Sequence, residues 1–341
     1  MAQTVERKIP CEFLDFIREG KKFLIVGHEN PDGDCIGSQL VLASVLKRLG
    51  KEAIPYSDGN LSRTEIEPYK SLFCTDPDCL EAQGTEFQVI LVDCSALERA
   101  GEKLSERLKG LMLAVIDHHH HETGDSGSKG RIPAGTPCYF DSSAPSTTVM
   151  VMKLIAALGL EITREEAELL FFGLCTDTGF FRHADENAEE TFEAALTLIR
   201  LGANPKAAYS AMHGGKSLDS RRLIGQVLSR AESLFDGKLI LSSEEYEDIR
   251  RFGSENRDSD SLYKLLTSVD GVEAIVIIRQ ETPETFNVGL RSCSHVDVGS
   301  IAGQYGGGGH KNAAGFTVGG TIAELRQKII KTFESVFPKG I

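Results

Sequence analysis

A chain of 341 residues with 50 acidic against 37 basic side chains, a formal charge of −13, is long enough for two domains. It is too acidic for a general grip on duplex DNA, which rests on basic surface, and its 41% hydrophobic and 26% charged residues exclude a disordered or coiled-coil class. No apolar run reaches the roughly 18 residues of a membrane span, the N-terminus lacks a secretory signal, and the eight cysteines form no Cys-x-x-Cys pair, so a cytoplasmic protein with reduced thiols and no membrane partner is expected.

In chain order, apolar β-rich runs at 23–27, 53–56, 87–92 and 113–116 alternate with amphipathic stretches, the pattern of a parallel sheet flanked by helices. Apart from Pro55 and Gln88 these runs are continuously apolar, as expected of strands covered on both faces. Between the first two, 36–49 has helical spacing and ends at Gly50, a C-cap residue. Residues 122–137, rich in Gly, Ser and Pro, read as a loop. From 146 to about 233 the chain reads as mostly helical, with helices at 164–174, 188–201 and 218–234. After Asp236-Gly237 come strands at 239–242, 272–279 and 286–291, a glycine tract, and a terminal helix at 323–336. The expectation is an α/β protein of two domains: an N-terminal, mostly parallel sheet flanked by helices over 1–212, a helical linker at 213–234, and a smaller α/β domain over 235–341.

Open α/β sheets bind ligands beyond the carboxyl ends of their strands. The first predicted strand runs into His28, Asp32 and Asp34, the third into Asp93, and the fourth into Asp117 and a histidine run, His118 to His121. Asp177 ends a predicted helix. Each Asp alone fits a helix N-cap, and Pro31 and Gly33 fit a turn. The coincidence of several strand ends on one sheet edge points to metal instead. Imidazole with several carboxylates suits Mn²⁺ or Mg²⁺, and so many ligands suit two ions ~3.5–4 Å apart sharing a carboxylate.

The strings HENPDGD (28–34), VDCS (92–95), DHH (117–119) and TDTGFF (176–181) resemble the N-terminal motifs of the DHH phosphoesterases. GLRS (289–292) and GGGGHKNAAG (306–315) resemble the DHH-associated C-terminal domain of the same family, and the overall length is similar to its nano-RNase and pAp phosphatase subgroup. By position, the resemblance implies one metal held by His28, Asp32 and Asp93 and a second by Asp34, Asp93, His118 and Asp177. Mn²⁺ is the expected ion, with Mg²⁺ the alternative. His119 would face the scissile phosphate, and Asp117 would orient its neighbours. His120 and His121 extend the usual pair. Cys35 stands where alanine is usual and would make activity oxidation-sensitive if its thiol were accessible.

Glycine amides of Gly307, Gly308 and Gly309, with His310, Arg291 and Arg182, would hold a substrate phosphate. The implied reaction is two-metal hydrolysis of short oligoribonucleotides, linear dinucleotides or 3′-phosphoadenosine 5′-phosphate (pAp), with the second domain closing over the substrate. A homodimer is allowed. The competing activities are an inorganic pyrophosphatase or short-chain polyphosphatase, against which Gly33 counts, and a cyclic-dinucleotide phosphodiesterase. Low aromatic content disfavours a long single-strand track.

Overall fold

In the computed structural model, which describes residues 8–59, 61, 63–76, 87–119, 132–133, 135–184 and 188–338, four strands form where continuously apolar runs lie. They are Lys22–Val26 (β1), Glu52–Tyr56 (β2), Gln88–Val92 (β3) and Leu113–Asp117 (β4). A fifth, Cys138–Phe140 (β5), follows the expected loop and is too short to be seen as an apolar run. All pair in parallel, in the order β2-β1-β3-β4-β5. Alternate residues feed two cores: Phe23, Ile25, Ile90, Val92, Ala114 and Ile116 join one hydrophobic cluster, and Leu24, Val26, Val89, Leu91 and Val115 the other. Both faces are covered, which is why the strands read as apolar throughout. Each such buried Val, Leu, Ile or Phe side chain contributes roughly 1.5–3 kcal/mol.

The helices of this unit are Cys11–Glu19 (α1), Gly33–Arg48 (α2), Glu102–Leu108 (α3), Thr147–Ala157 (α4), Arg164–Asp177 (α5), Ala188–Arg200 (α6) and Pro205–His213 (α7). Helix α2 ends as its glycine implied: Gly50, at φ 76°, donates to Lys47 O, and Lys51 donates to Leu46 O. Helix α5 starts on a capping box between Thr163 and Glu166, and the same buried Glu166 accepts from Ser44 and Arg48 of α2 at 2.7 Å each. Two glycines let these helices approach. A Cβ on Gly33 would lie 2.5 Å from Thr176 Cγ2, and one on Gly173 would lie 2.4 Å from Thr148 Cγ2 and 3.1 Å from Asp34 Cα. The packing thus brings Asp34 and the end of α5 to the same edge of the sheet.

Contacts divide the chain into units Met1–Gly215 and Lys216–Ile341. The helix expected at 218–234 is shorter than its periodicity suggested. It runs over Leu218–Ser229 (α8), and Glu232–Leu234 is a strand, β6. Positive φ at Phe235, Asp236 and Gly237 makes a tight turn that pairs β6 antiparallel with Leu239–Glu244 (β7), and this pairing overrides the helical pattern. The remaining strands are Ala274–Thr282 (β8), Thr285–Ser292 (β9), Gly308–His310 (β10) and Ala313–Gly319 (β11), in the order β10-β11-β9-β8-β7-β6. Only β7 and β8 pair in parallel. Helices Tyr246–Phe252 (α9), Ser259–Thr267 (α10), Val298–Gly303 (α11) and Ile322–Val336 (α12) complete the unit. One face of the sheet packs on α11 and α12 through Ile301, Leu325, Ile329 and Phe333, the other on α8 and α10 through Ile224, Val227, Leu262 and Tyr263.

No helix among the described residues is long and apolar enough to cross a membrane. Among the described residues six cysteines are free and Cys74 is disulfide-bonded, so reduced thiols do not hold at every position.

Candidate functional site

The carboxyl edge of the parallel sheet gathers acid and imidazole. Asp93 follows β3 in a left-handed conformation, φ 60°, which costs a non-glycine residue of order 1–3 kcal/mol and is kept where the surroundings fix it. Its amide donates to Ile116 O at 3.0 Å, and its Oδ1 accepts from the Thr147 hydroxyl at 2.9 Å. Asp34, in the first turn of α2, is fully buried and accepts from the amides of Thr147 and Thr148 at 2.7 and 2.9 Å and from the Thr148 hydroxyl at 2.7 Å. The positive end of helix α4 therefore faces the acid cluster and holds two of its carboxylates. Sequence reasoning missed Thr147 and Thr148. Their signal was the Ser146-Thr147-Thr148 run that opens the helix, where Ser146 is the N-cap.

His118 sits at the centre. Its Nδ1 lies 3.2 Å from Ala144 O, which assigns the ring proton to that nitrogen. The other nitrogen, Nε2, is buried without a hydrogen-bond partner and faces Asp177 Oδ2 at 3.4 Å, Asp93 Oδ1 at 3.7 Å and Asp34 Oδ2 at 4.0 Å. A lone pair pointing at three carboxylates is repulsive unless a proton or a cation lies among them. Ligand atoms of Asp34, His118 and Asp177 lie within 4.8 Å of one another, as do those of Asp93, His118 and His119. A third group joins His28, Cys35 and Asp93, with His28 Nε2 3.4 Å from Asp93 Oδ2. Asp93 thus stands in two groups, with Oδ2 toward His28 and Oδ1 toward His118 and His119.

Not every expected ligand joins a group. Among the described residues Asp32 is in none of them. Its Oδ1 caps α2, accepting from the amides of Asp34 and Cys35 at 3.0 and 3.1 Å. Its charge still acts on the cluster. Cys35 is fully buried, with Sγ 3.6 Å from Gln39 Oε1, and burial pushes its thiol far up. It is a poor target for oxidation, and the accessibility that an oxidation-sensitive site requires is absent. His120 and His121 lie outside the described residues, as does most of the loop expected at 122–137.

The electrostatics follow from crowding. Burial first, and then the neighbouring carboxylates, raise the pKa of Asp93 well above its ordinary value and that of Asp177 to about 8; burial raises Asp34 against the pull of His118. Burial lowers His28, against the attraction of Asp32. His119 is raised, because Asp117 Oδ1 lies 2.7 Å from its Nδ1 and also accepts its amide at 3.1 Å. That contact engages Nδ1 of a ring 42% exposed, and the same nitrogen lies 3.7 Å from Asp93 Oδ1. Arg99, unmarked in the sequence reading, is near enough to lower both His28 and His119. Arg182 is exposed on the turn after Asp177, its guanidinium 3.1 Å from His183 Nε2.

Residues 22–174 match the DHH family N-terminal domain, and 236–339 match the DHHA1 domain. The bifunctional oligoribonuclease and PAP phosphatase NrnA of Thermus thermophilus is 32% identical over 92% of this chain and 88% of its own length. The chain belongs to the DHH family. An exopolyphosphatase-related protein from Bacteroides fragilis has the same fold, with a TM-score of 0.75, 22% identity and 96% of each chain covered. RecJ from Thermus thermophilus, solved in complex with Mn²⁺, shares the fold at a TM-score of 0.53 and 15% identity; the match covers 96% of this chain and 54% of RecJ.

In the DHHA1 unit the register makes a different surface. His310, Ala313 and Arg291 are partners across β10, β11 and β9, so their side chains share one face, with the small Ala313 between His310 and Arg291. The outer two are roughly 9–10 Å apart, two strand spacings. The next row on that face is Gly308, Gly315 and Gly289. Arg291 lies over the Tyr263 ring at 4.4 Å. The glycine tract is an edge strand, not an open loop. The amide of Gly307 is already bonded to Ala302 O at 3.0 Å, and Gly309, at φ 143°, has no room for a Cβ beside Ala313 O. His310 is exposed at the sheet margin.

Proposed function

We propose that the chain is a two-metal phosphoesterase that hydrolyses short oligoribonucleotides, linear dinucleotides and pAp. The observation that carries this reading is the orphaned His118 Nε2 among three carboxylates, a donor set of oxygen and imidazole that fits Mn²⁺ or Mg²⁺. His28, Asp32 and Asp93 would hold one ion and Asp34, Asp93, His118 and Asp177 the other, with Asp93 shared. Bound there, the ions would neutralise charge on the phosphoryl group and activate water for in-line attack.

The chain's own groups do the rest. His119, steadied by Asp117, presents a proton at Nε2 for the phosphate or its leaving oxygen. Arg291, His310 and the backbone of Gly308 and Gly309 bind a substrate phosphate, and Arg182 is a further cation in the first unit. The named activities of NrnA, whose length the chain nearly spans, support the substrate class. A net charge of −13 offers no basic path for a long strand, so the substrate is short and the enzyme acts in the cytoplasm on single nucleotides or RNA fragments.

One assay tests the reading. With Mn²⁺, the purified protein is given pAp, di- to pentanucleotides, a strand of about 20 nucleotides, pyrophosphate and a cyclic dinucleotide. Efficiency should be highest on pAp or the di- and trinucleotides and fall with length, more steeply at low salt where repulsion is least screened. Preference for pyrophosphate, the cyclic dinucleotide or the long strand overturns it.

A further inference from the structure

The acid-crowded edge of the first unit also has a cation beside it that none of the ligand sets uses. Arg99 lies in the 3-10 turn Leu97–Ala100, which links β3 to α3 just beyond Asp93. The turn closes on itself, with the Arg99 amide donating to Ala96 O at 3.1 Å and the Gly101 amide to Glu98 O at 3.2 Å. It is also tied to the site, because the amide of Glu29, the neighbour of His28, donates to Arg99 O at 2.7 Å. The backbone of Arg99 is thereby fixed beside a histidine of the candidate site, while its side chain stays exposed. Its charge is felt at both His28 and His119, and Arg63 adds a smaller share at His28. Those two rings lie 3.4 and 3.7 Å from the two oxygens of Asp93, so Arg99 belongs to the same edge as the shared carboxylate.

Other arginines of this acidic chain find carboxylates: Arg48 pairs with Glu166, Arg230 with Asp248 and Arg257 with Glu244. Among the described residues the Arg99 guanidinium has no hydrogen bond or ion pair. The Arg182 guanidinium, by contrast, is 3.1 Å from His183 Nε2.

An unpaired cation matters there because of the charge balance. On the two-metal reading, on which this inference rests, Asp32, Asp34, Asp93 and Asp177 bring four negative charges and two divalent ions four positive ones. The loaded site is then near neutral and offers a phosphate little attraction beyond direct coordination. A guanidinium beside it restores a net positive charge, and its planar fork matches phosphate oxygens. The two ester classes differ in what they need. A phosphodiester spreads one negative charge over two non-bridging oxygens, whereas a terminal phosphomonoester such as the 3′-phosphate of pAp spreads up to two over three. The extra oxygen and charge call for one more donor.

We propose that Arg99 binds a non-bridging oxygen of the reacting phosphoryl group and thereby sets the balance between the two substrate classes in favour of the terminal monoester. The guanidinium stays charged throughout and takes no part in proton transfer.

The test compares Arg99→Ala, Arg99→Lys and Arg182→Ala with the wild type, all loaded with Mn²⁺, on pAp and on a linear dinucleotide. Arg99→Ala should lower kcat/KM by ~100-fold on pAp and by ~10-fold or less on the dinucleotide, because a charge-assisted contact to a dianion outweighs one to a monoanion. Arg99→Lys should recover part of the loss on pAp, since it keeps the charge and gives up the fork. Arg182→Ala should lose less than Arg99→Ala on pAp. Two readouts need no turnover. Calorimetric titration with inorganic phosphate should show about tenfold weaker binding to Arg99→Ala. Mn²⁺ should bind Arg99→Ala as tightly as the wild type or more so, because a neighbouring positive charge is gone. Loss of Mn²⁺, unchanged phosphate binding, or equal losses on the two esters overturns the proposal. If the wild type cleaves neither ester, the two-metal reading fails by itself, and the phosphate titration alone decides whether Arg99 holds the anion.

Discussion

The two units build their candidate sites by opposite means. In the first, parallel strands end side by side, and the ends of β1, β3 and β4 each deliver a candidate ligand from a short stretch of sequence to an acid-crowded edge. In the second, the side chains come from the ends of antiparallel strands, meet only through register, and run from a half-buried Arg291 to an exposed His310 on a face lined with glycine. The first arrangement suits cations, because burial makes uncompensated carboxylates costly and a divalent ion relieves them. The second suits an anion, because glycine backbone and a stacked guanidinium approach phosphate closely. The contrast divides the proposed chemistry from the proposed grip on substrate, and substitutions should separate the two.

The largest effect is expected at Asp93, the residue shared by the two proposed ligand sets. Asp93→Ala should lower kcat/KM by ~10³-fold or more and release both ions, because one carboxylate serves the two sides. Turnover together with metal content by atomic spectroscopy checks this. Near-normal activity with two ions retained would remove Asp93 from the site and dissolve the contrast between the units.

Next in size are Arg291→Ala and His310→Ala. Loss of a charge-assisted contact to phosphate should lower kcat/KM by roughly 10- to 100-fold with metal content intact. Metal loss in either variant would show that the second unit does more than hold substrate.

Much of the first site was legible because a parallel sheet turns sequence order into spatial order: apolar runs marked strands, and the residue after each run marked the edge. What stayed hidden there came from other elements. Thr147 and Thr148 reach Asp34 and Asp93 from the start of α4, and no pattern near residue 34 or 93 names them. Asp32 carried two readings, cap and ligand; the structure displays the cap, and the ligand role remains a proposal. In the second unit Arg291 and His310 were singled out through motif resemblance, but the row joining them through Ala313 is a property of strand register that no local signal carries. Tyr263 was invisible for the same reason.

A third test sharpens the contrast through pH. In metal-free protein the carboxyls of Asp34, Asp93 and Asp177 are raised above their unfolded values near 4, so the folded state binds more protons than the unfolded chain. Their contribution is full below about pH 4 and is lost as pH rises toward the value of about 8 held by Asp177. The melting temperature of the first unit should therefore decline from pH 5 to 8 without metal, and Mn²⁺ should flatten the decline while displacing protons. Calorimetry in buffers of different ionisation enthalpy measures that release. A melting temperature that rises over this range without metal would mean that the acids are paired by something other than a cation.

The smallest effect is expected at Tyr263, where the second unit resembles the first in holding a working side chain by a partner behind it. Arg291 lies 4.4 Å from the centre of the Tyr263 ring, and Arg279 lies 5.7 Å from it on a neighbouring strand. The ring is what the Arg291 guanidinium lies over, so Tyr263→Phe keeps the platform, whereas Tyr263→Leu removes it and frees Arg291 to wander. A cation–π contact of about 0.5–1 kcal/mol corresponds to roughly a two- to fivefold rise in KM for short substrates, with kcat nearly unchanged. Tyr263 is also buried, so the leucine variant loses stability through packing, and its melting temperature must be followed separately. Recovery in Tyr263→Phe, with KM restored and kcat level across the series, marks a positioning role. Equal damage in both variants, or a fall in kcat at constant KM, would show that Arg291 is not held by the ring and that the exposed face is organised by its backbone alone.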